Sequence, residues 1–321
     1  MKRVGWLLAC VGIAVVVPAS VQAWGGQSVD TVASFDPNIG QNPEGVATDF
    51  YGNVFVTLAP TGEMLKIDDE GDISTHATFD PGAGFLLGMT TDWWGNVYVA
   101  LASFTPETCG VWKVDPNGHS ERVAAFAPDA FPNDLVFGRH GKLYITESIG
   151  GSVYRYNTWT DELDEWYTDP LLAGDIDVSP VPFPIGANGI VHRNGKLVVA
   201  NSQRSRLVGI DIQGNGEPGD VDVLVEDDLL FGADGLDMDV AGNIYVAVNE
   251  QSTLLKVKKN GTILVLRDAE DGLDFPATLA FGKTPGHFDE LYITNFALFS
   301  GPEGNPALLS THVGIPGKWW P

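Results

Sequence analysis

The sequence predicts an all-β chain, a six-bladed β-propeller, and three observations predict it. One phrase recurs six times, an apolar stretch, a Gly-centred turn and an alternating strand, in the copies EGVATDFYGNVFVT, LGMTTDWWGNVYVA, NDLVFGRHGKLYIT, NGIVHRNGKLVVA, DGLDMDVAGNIYVA and ATLAFGKTPGHFDELYIT. Successive copies open 43, 46, 55, 46 and 43 residues apart, the period of propeller blades. Most copies continue into a second pair of alternating segments, as in MLKIDDEGDISTHATF, VWKVDPNGHSERVAAF and LLKVKKNGTILVLRD, so each unit holds four strands, and radial repetition of such units is a propeller. A helical reading fails, because long runs with 3.6-residue apolar spacing are missing while Gly (38) and Pro (20) are frequent.

Residues 1–23 carry Lys2 and Arg3, an apolar run from Val4 to Val17, Pro18, and the small-residue ending Val21-Gln22-Ala23, the pattern of a cleaved secretory signal. Leu7-Leu8-Ala9-Cys10 lies inside the apolar run and not after it, which argues against lipidation. The mature chain is therefore expected to run from Trp24 to Pro321 as one domain. Val29 to Phe35 is a strand-like segment ahead of the first copy, and the sixth copy has no fourth strand after Leu308 to Val313. The early segment is expected to complete the last blade and close the ring, which removes an open sheet edge. Within the copies, Gly52-Asn53, Gly95-Asn96, Gly141-Lys142, Gly195-Lys196 and Gly242-Asn243 supply the positive φ of tight hairpins. The 55-residue spacing reflects an insertion, PLLAGDIDVSPVPFPIG. Its Leu171, Leu172, Val181, Phe183 and Ile185 either roof a pocket or pack between blades.

No other stretch is long and apolar enough to span a bilayer, so a secreted or periplasmic protein, free of the membrane once the signal is removed, is expected. The net charge of −24 falls to −26 when the two cationic side chains of the signal leave. Such a surface repels nucleic acid and anionic lipid and concentrates cations. Solubility alone accounts for an acidic exported protein, so the charge permits calcium without arguing for it. Only Cys109 remains after signal removal, which excludes an intramolecular disulfide. No repeat-equivalent His accompanies it, so a loop or edge thiol is expected and not a nucleophile. The sequon Asn260-Gly261-Thr262 matters only in a eukaryotic host.

The residues opening the six copies are Glu44, Leu87, Asn133, Asn188, Asp234 and Ala277. In a propeller the first strand of each blade lines the central channel, so Glu44, Asn133, Asn188 and Asp234 are expected to converge on the axis. Two carboxylates and two amide oxygens, formal charge −2, suit a hard cation, and no thiolate or imidazole is present to recruit zinc. Calcium is the natural occupant. Each residue alone is also explained as a turn or strand cap; the set is not, since carboxylates gathered at a narrow axis repel and resist desolvation without a cation.

The succession PEGVATDFYGN, FPNDLVFGRHGK, GANGIVHRNGK and GADGLDMDVAGN resembles the blade openings of the family that includes senescence marker protein, gluconolactonase and luciferin-regenerating enzyme, with diisopropyl fluorophosphatase and paraoxonase as relatives. The resemblance covers essentially the whole mature chain. In that family a Glu, two Asn and an Asp from four blades hold a catalytic divalent ion, which maps onto Glu44, Asn133, Asn188 and Asp234. What the resemblance implies is calcium-dependent hydrolysis of a small-molecule lactone, ester or phosphoester, the ion acting as Lewis acid. Asp234 and Asn133 are then the candidate catalytic residues, Asp234 as base or nucleophile. Sugar lactonases of the family often carry an Arg two residues before the first ligand Asn; this chain has Phe131 there, which turns the expectation away from polar sugar acids.

Loop geometry places the connections 102–110, 147–152, 170–186, 201–206, 249–252 and 295–307 on the metal face, and makes Phe131, Glu147, Asn201, Asn249 and Asn295 candidates for the substrate pocket. Asp237 and Asp239 follow Asp234 closely and raise a second ion as a question, but no His stands at the place in the sixth blade where a relative's structural calcium takes one. His140, His192 and His287 are expected on the opposite face. Two readings compete with a hydrolase: a non-hydrolytic, isomerase-like or ligand-binding propeller with a structural calcium, and a protein-binding propeller of the NHL type, which needs no axial carboxylate pair.

Overall fold

The computed structural model describes residues 28–319; the expected signal, residues 1–23, lies outside them. The described residues form twenty-four strands in six four-stranded antiparallel sheets, arranged as the blades of a propeller. The other regular elements are five single-turn 3-10 segments, and no helix among the described residues is long and apolar enough to cross a membrane. The innermost strands are Pro43–Thr48, Phe85–Thr91, Pro132–Phe137, Ala187–Arg193, Ala233–Met238 and Pro276–Phe281, one for each of blades 1 to 6. Asp30–Ser34 forms the outer edge of blade 6 by pairing antiparallel with Ala307–His312, in the register Asp30↔Ser310 and Ser34↔Ala307. The ring is thus closed by the N-terminal strand, as its sequence pattern predicts.

The hairpin turns follow their chemistry. In Asp-x-x-Gly-Asn turns, the Asp49 carboxylate accepts from the Tyr51 and Asn53 amides and from Asn53 Nδ2, and Asp92 does the same for Trp94 and Asn96. Gly52 and Gly95 sit at φ +93° and +81°, where a side chain would be strained.

Period-2 alternation explains the packing. In blade 1, Val54 and Val56 face blade 6 while Phe55 between them faces blade 2. In blade 2, Val97, Val99 and Leu101 face blade 1, whereas Tyr98, Ala100 and Ala102 face blade 3. Each of the six blade-to-blade interfaces therefore has its own apolar cluster, and the axis is left as a channel lined by polar and apolar side chains together. Cys109 belongs to the interface between blades 2 and 3, fully buried; burial pushes its thiol pKa up, which removes nucleophilic character.

Candidate functional site

Every first strand is interrupted at the same place. Pairing with the second strand skips from Pro43 to Val46, Leu86 to Met89, Pro132 to Leu135, Ala187 to Ile190, Ala233 to Leu236 and Pro276 to Leu279. Two residues per blade leave the ladder there, and a bulge of this kind re-aims side chains. The first of each pair is Glu44, Leu87, Asn133, Asn188, Asp234 or Ala277, the six openings of the repeat. The second is Gly45, Gly88, Asp134, Gly189, Gly235 or Thr278. Glycine dominates because the blades meet here: a Cβ on Gly45 would collide with the Leu87 carbonyl, and one on Gly189 with the Asp234 carbonyl. A second-strand threonine fills the ladder gap; Thr57 Oγ1 accepts from Gly45 N (2.7 Å) and donates to Leu87 O of the next blade (3.1 Å).

Glu44, Asn133, Asn188 and Asp234, all between 3 and 6% exposed, line one cavity at one mouth of the channel. Their orientation is set from behind. Ser148 Oγ donates to Ala187 O (2.7 Å), so it can only accept from Asn133, whose Nδ2 donates to it at 3.0 Å. Ser202 repeats the device one blade on, donating to Ala233 O (2.6 Å) and accepting from Asn188 Nδ2 (2.9 Å). With the amide nitrogens held back, the amide oxygens face away from the serines. In blade 5, Asn249 Nδ2 donates to Asp234 Oδ2 (3.1 Å). Ser148, Ser202 and Asn249 occupy one equivalent place, immediately after the residue that pairs with the start of the first strand. Blades 1, 2 and 6 have Ala59, Ala102 and Phe296 there. Polar support thus stands behind three of the four polar openings, and Glu44 Oε2 and Asn188 Oδ1 are buried without a hydrogen-bond partner.

The electrostatics agree with a missing counter-charge. Burial first, then the Asp234 and Asp134 carboxylates, raise the Glu44 pKa well above the ordinary range; burial and Asp134 raise that of Asp234. Asp134, whose oxygens accept from the Leu135 and Ile190 amides (2.8 and 3.1 Å), is pushed up to about 7 by burial. Among the described residues no three His, Cys, Asp or Glu side chains form a metal cluster of their own; the set that fits a cation here is two carboxylates plus two amide oxygens, with orphaned acceptors on Glu44 and Asn188. In cation-free protein these raised values mean that the folded state holds protons more tightly than the unfolded chain. Their contribution to stability is complete below the unfolded value of ~3.9 and is lost as pH rises through about 7. Chelator-treated protein is therefore expected to melt at a lower temperature at pH 8 than at pH 6, with calcium flattening the slope. A melting temperature that climbs over that interval in chelator would contradict this.

The cavity walls are apolar. Phe131 packs with Phe104 and Phe183 (ring centroids 5.0 to 5.9 Å apart), and Phe275 packs with Phe296 and Phe299. The insertion at 170–186 divides its labour: Val181, Phe183 and Ile185 line the cavity, whereas Leu171 and Leu172 pack between blades 3 and 4. Of the five residues expected to form the pocket, Phe131 and Asn249 line it. Glu147, Asn201 and Asn295 do not. Glu147 accepts from the Phe131, Ile149 and Gly150 amides, Asn201 donates to Leu171 O and Ala173 O, and Asn295 donates to Gly272 O. These three stand one place before Ser148, Ser202 and Phe296, so they anchor the inter-blade connections behind the wall. Sequence reasoning missed Ser148, Ser202, Asp134 and most of the phenylalanines. A signal existed: two residues before the opening stand Phe85, Phe131 and Phe275 in three of the six copies.

Asp237 accepts from the Met238 and Phe281 amides, and Asp239 from Asn243 beside the Lys256 ammonium at 3.3 Å. Deeper in the channel, the Lys283 ammonium donates to Thr48 O and Thr91 Oγ1 (2.8 and 3.0 Å), so a built-in cation already stands near Asp237. His192 lines the far mouth of the channel, His140 lies in a hairpin turn against Trp159, and His287 pairs with Glu290; none lines the cavity.

Fold and site define a class of six-bladed propellers with oxygen-bearing side chains gathered at one mouth of the axial channel. Among solved structures the chain is similar to luciferin-regenerating enzyme (TM-score 0.70, 15% identity, covering 91% of this chain and 98% of that one). It is similar also to a calcium-binding protein, regucalcin, from Agrobacterium tumefaciens (0.66, 16%, 91% and 95%) and to a gluconolactonase from Xanthomonas campestris (0.66, 15%, 94% and 94%). No protein-family model matches the chain, and no curated protein matches it in sequence. The neighbours belong to the family whose blade openings the sequence resembles, and at 15 to 16% identity the likeness is one of fold.

Proposed function

We propose that the chain is an exported, calcium-dependent hydrolase of apolar lactones or esters, acting at the channel mouth. The observation that carries this reading is the set Glu44, Asn133, Asn188 and Asp234 on the floor of an apolar cavity, with buried acceptor oxygens that no protein donor satisfies. A calcium ion bound there supplies Lewis-acid polarisation of a carbonyl or phosphoryl oxygen. The chain's own residues do the rest. Ser148 and Ser202 hold the amide ligands in register, and Asn249 fixes Asp234, leaving that carboxylate to take a proton from water or to attack the reacting carbon. The phenylalanine walls exclude water and receive the apolar part of the substrate.

An alkyl- or aryl-substituted lactone is expected to turn over faster than gluconolactone, because Phe131 stands where a polar hydroxyl array would need a donor and the roof at Val181 and Phe183 is apolar. A roughly fourfold to sixtyfold difference in kcat/KM follows from burying one to three methylene equivalents at ~0.8 kcal/mol each. Faster hydrolysis of gluconolactone reverses the ranking, and no calcium-dependent hydrolysis across a lactone, ester and phosphotriester panel removes the reading.

A further inference from the structure

We propose that Gln203 is a substrate-recognition residue whose side-chain Nε2 donates to an acceptor oxygen of a neutral, otherwise apolar ligand. The inference rests on the cavity being the binding site, as in the proposed function, but not on hydrolysis occurring there. Gln203 follows Ser202 in the connection between the second and third strands of blade 4 and lines the cavity. Its Oε1 accepts from Asp175 N (2.6 Å) and Ile185 N (2.9 Å), clamping the 170–186 insertion at two points. Both partners are donors, so the amide orientation is determined: the oxygen faces the insertion and the nitrogen faces away from it. That nitrogen is buried and has no partner, in a side chain 8% exposed.

A buried N–H without an acceptor costs about 1–3 kcal/mol, and a cation cannot relieve it. No protein acceptor lies within hydrogen-bond distance of it either, whereas the neighbouring neutral donors of the cavity, on Asn133, Asn188, Ser202 and Asn249, each have an acceptor. Gln203 Nε2 is the remaining one. The acceptor must therefore arrive with the ligand. Glu44 and Asp234 on the floor and Glu250 on the wall disfavour an anion, and the phenylalanines disfavour a polyol. A carbonyl or ester oxygen on an apolar frame meets all three conditions.

Gln203→Glu separates recognition from the clamp, since a carboxylate still accepts from Asp175 N and Ile185 N but offers no donor. Calorimetric titration of full-length wild type and variant, at saturating calcium, with acetophenone and with ethylbenzene gives two ratios of Kd. The probes share shape and differ in the carbonyl, and any contribution of the cation cancels between the two proteins. The ratio is expected to shift by about 2- to 13-fold against acetophenone in Gln203→Glu, the equivalent of a net hydrogen bond, with the variant still folding cooperatively. Gln203→Met, similar in volume and without a donor, is expected to shift it in the same sense and serves if the carboxylate variant does not fold. An unchanged ratio in the folded variants overturns the proposal. The readout needs no turnover, so a wild type that hydrolyses nothing yet shows the shift overturns the proposed function and leaves this assignment standing.

Discussion

Asp234→Asn is expected to lower kcat by ~10²- to 10⁴-fold with calcium saturating, the usual worth of general-base help, whereas Glu44→Gln costs far less under the same condition. Both substitutions take the ligand set from −2 to −1 and preserve shape, so they should weaken calcium to a similar extent. The difference between the two residues lies in what stands behind them. Asp234 has Asn249 Nδ2 on one oxygen at 3.1 Å, so its orientation is fixed; Glu44 has Ala59 at the equivalent place and an oxygen without a protein partner, as a pure cation ligand would. Burial and Asp134 raise the Asp234 pKa in cation-free protein, and a bound cation would lower it, so the carboxylate form able to take a proton is favoured in the loaded state. Equal loss in both variants, or full activity of Asp234→Asn, removes this residue from the chemistry and favours a non-hydrolytic propeller with a structural ion.

The second large effect is on stability. Calcium added to chelator-stripped protein at 100 to 1,000 times its Kd should stabilise the fold by about 2.7 to 4.1 kcal/mol, a rise in melting temperature on the order of 4–7 °C for a domain of this size. The direction follows from what the ion relieves: Asp234 and Asp134 raise the proton affinity of Glu44 beyond the effect of burial, Asp134 raises that of Asp234, and two buried acceptors lack partners. Glu44→Gln should shrink the calcium-dependent rise while raising the melting temperature of the stripped protein, since it removes one of the repelling charges. No calcium-dependent rise in wild type would count decisively against the site.

Some of the site was legible in the chain because the bulge recurs. Each blade leaves its ladder at the same point of the repeat, so aligning the copies, with a one-residue gap before the turn glycine of the fourth, brings Glu44, Asn133, Asn188 and Asp234 into one column without any coordinates. The pocket was legible only in part. Glu147, Asn201 and Asn295 are one residue away from the column that supports the ligands, Ser148, Ser202 and Asn249, and in a strand one residue is the difference between opposite faces. Loop geometry assigns whole connections to one face and does not resolve that parity, which is why it selected the anchors of the inter-blade connections together with one true pocket residue, Asn249.

The sequence by itself determined the number of blades, the closure of blade 6 by Asp30–Ser34 and the four residues at the channel mouth. These follow from local turn chemistry, two-residue alternation and repetition, all of which act within one blade or between adjacent copies. Only the tertiary structure decided what surrounds the four. Phenylalanines at the starts of blades 2, 3 and 6 and in the connection between the second and third strands of blade 6 come to line one cavity, Gln203 grips an insertion about twenty residues away, and Lys283 reaches blades 1 and 2 from blade 6. The physical reason is that the blades radiate from an axis: residues far apart in sequence are brought within contact at the channel mouths, and the choice among them is made by packing between blades.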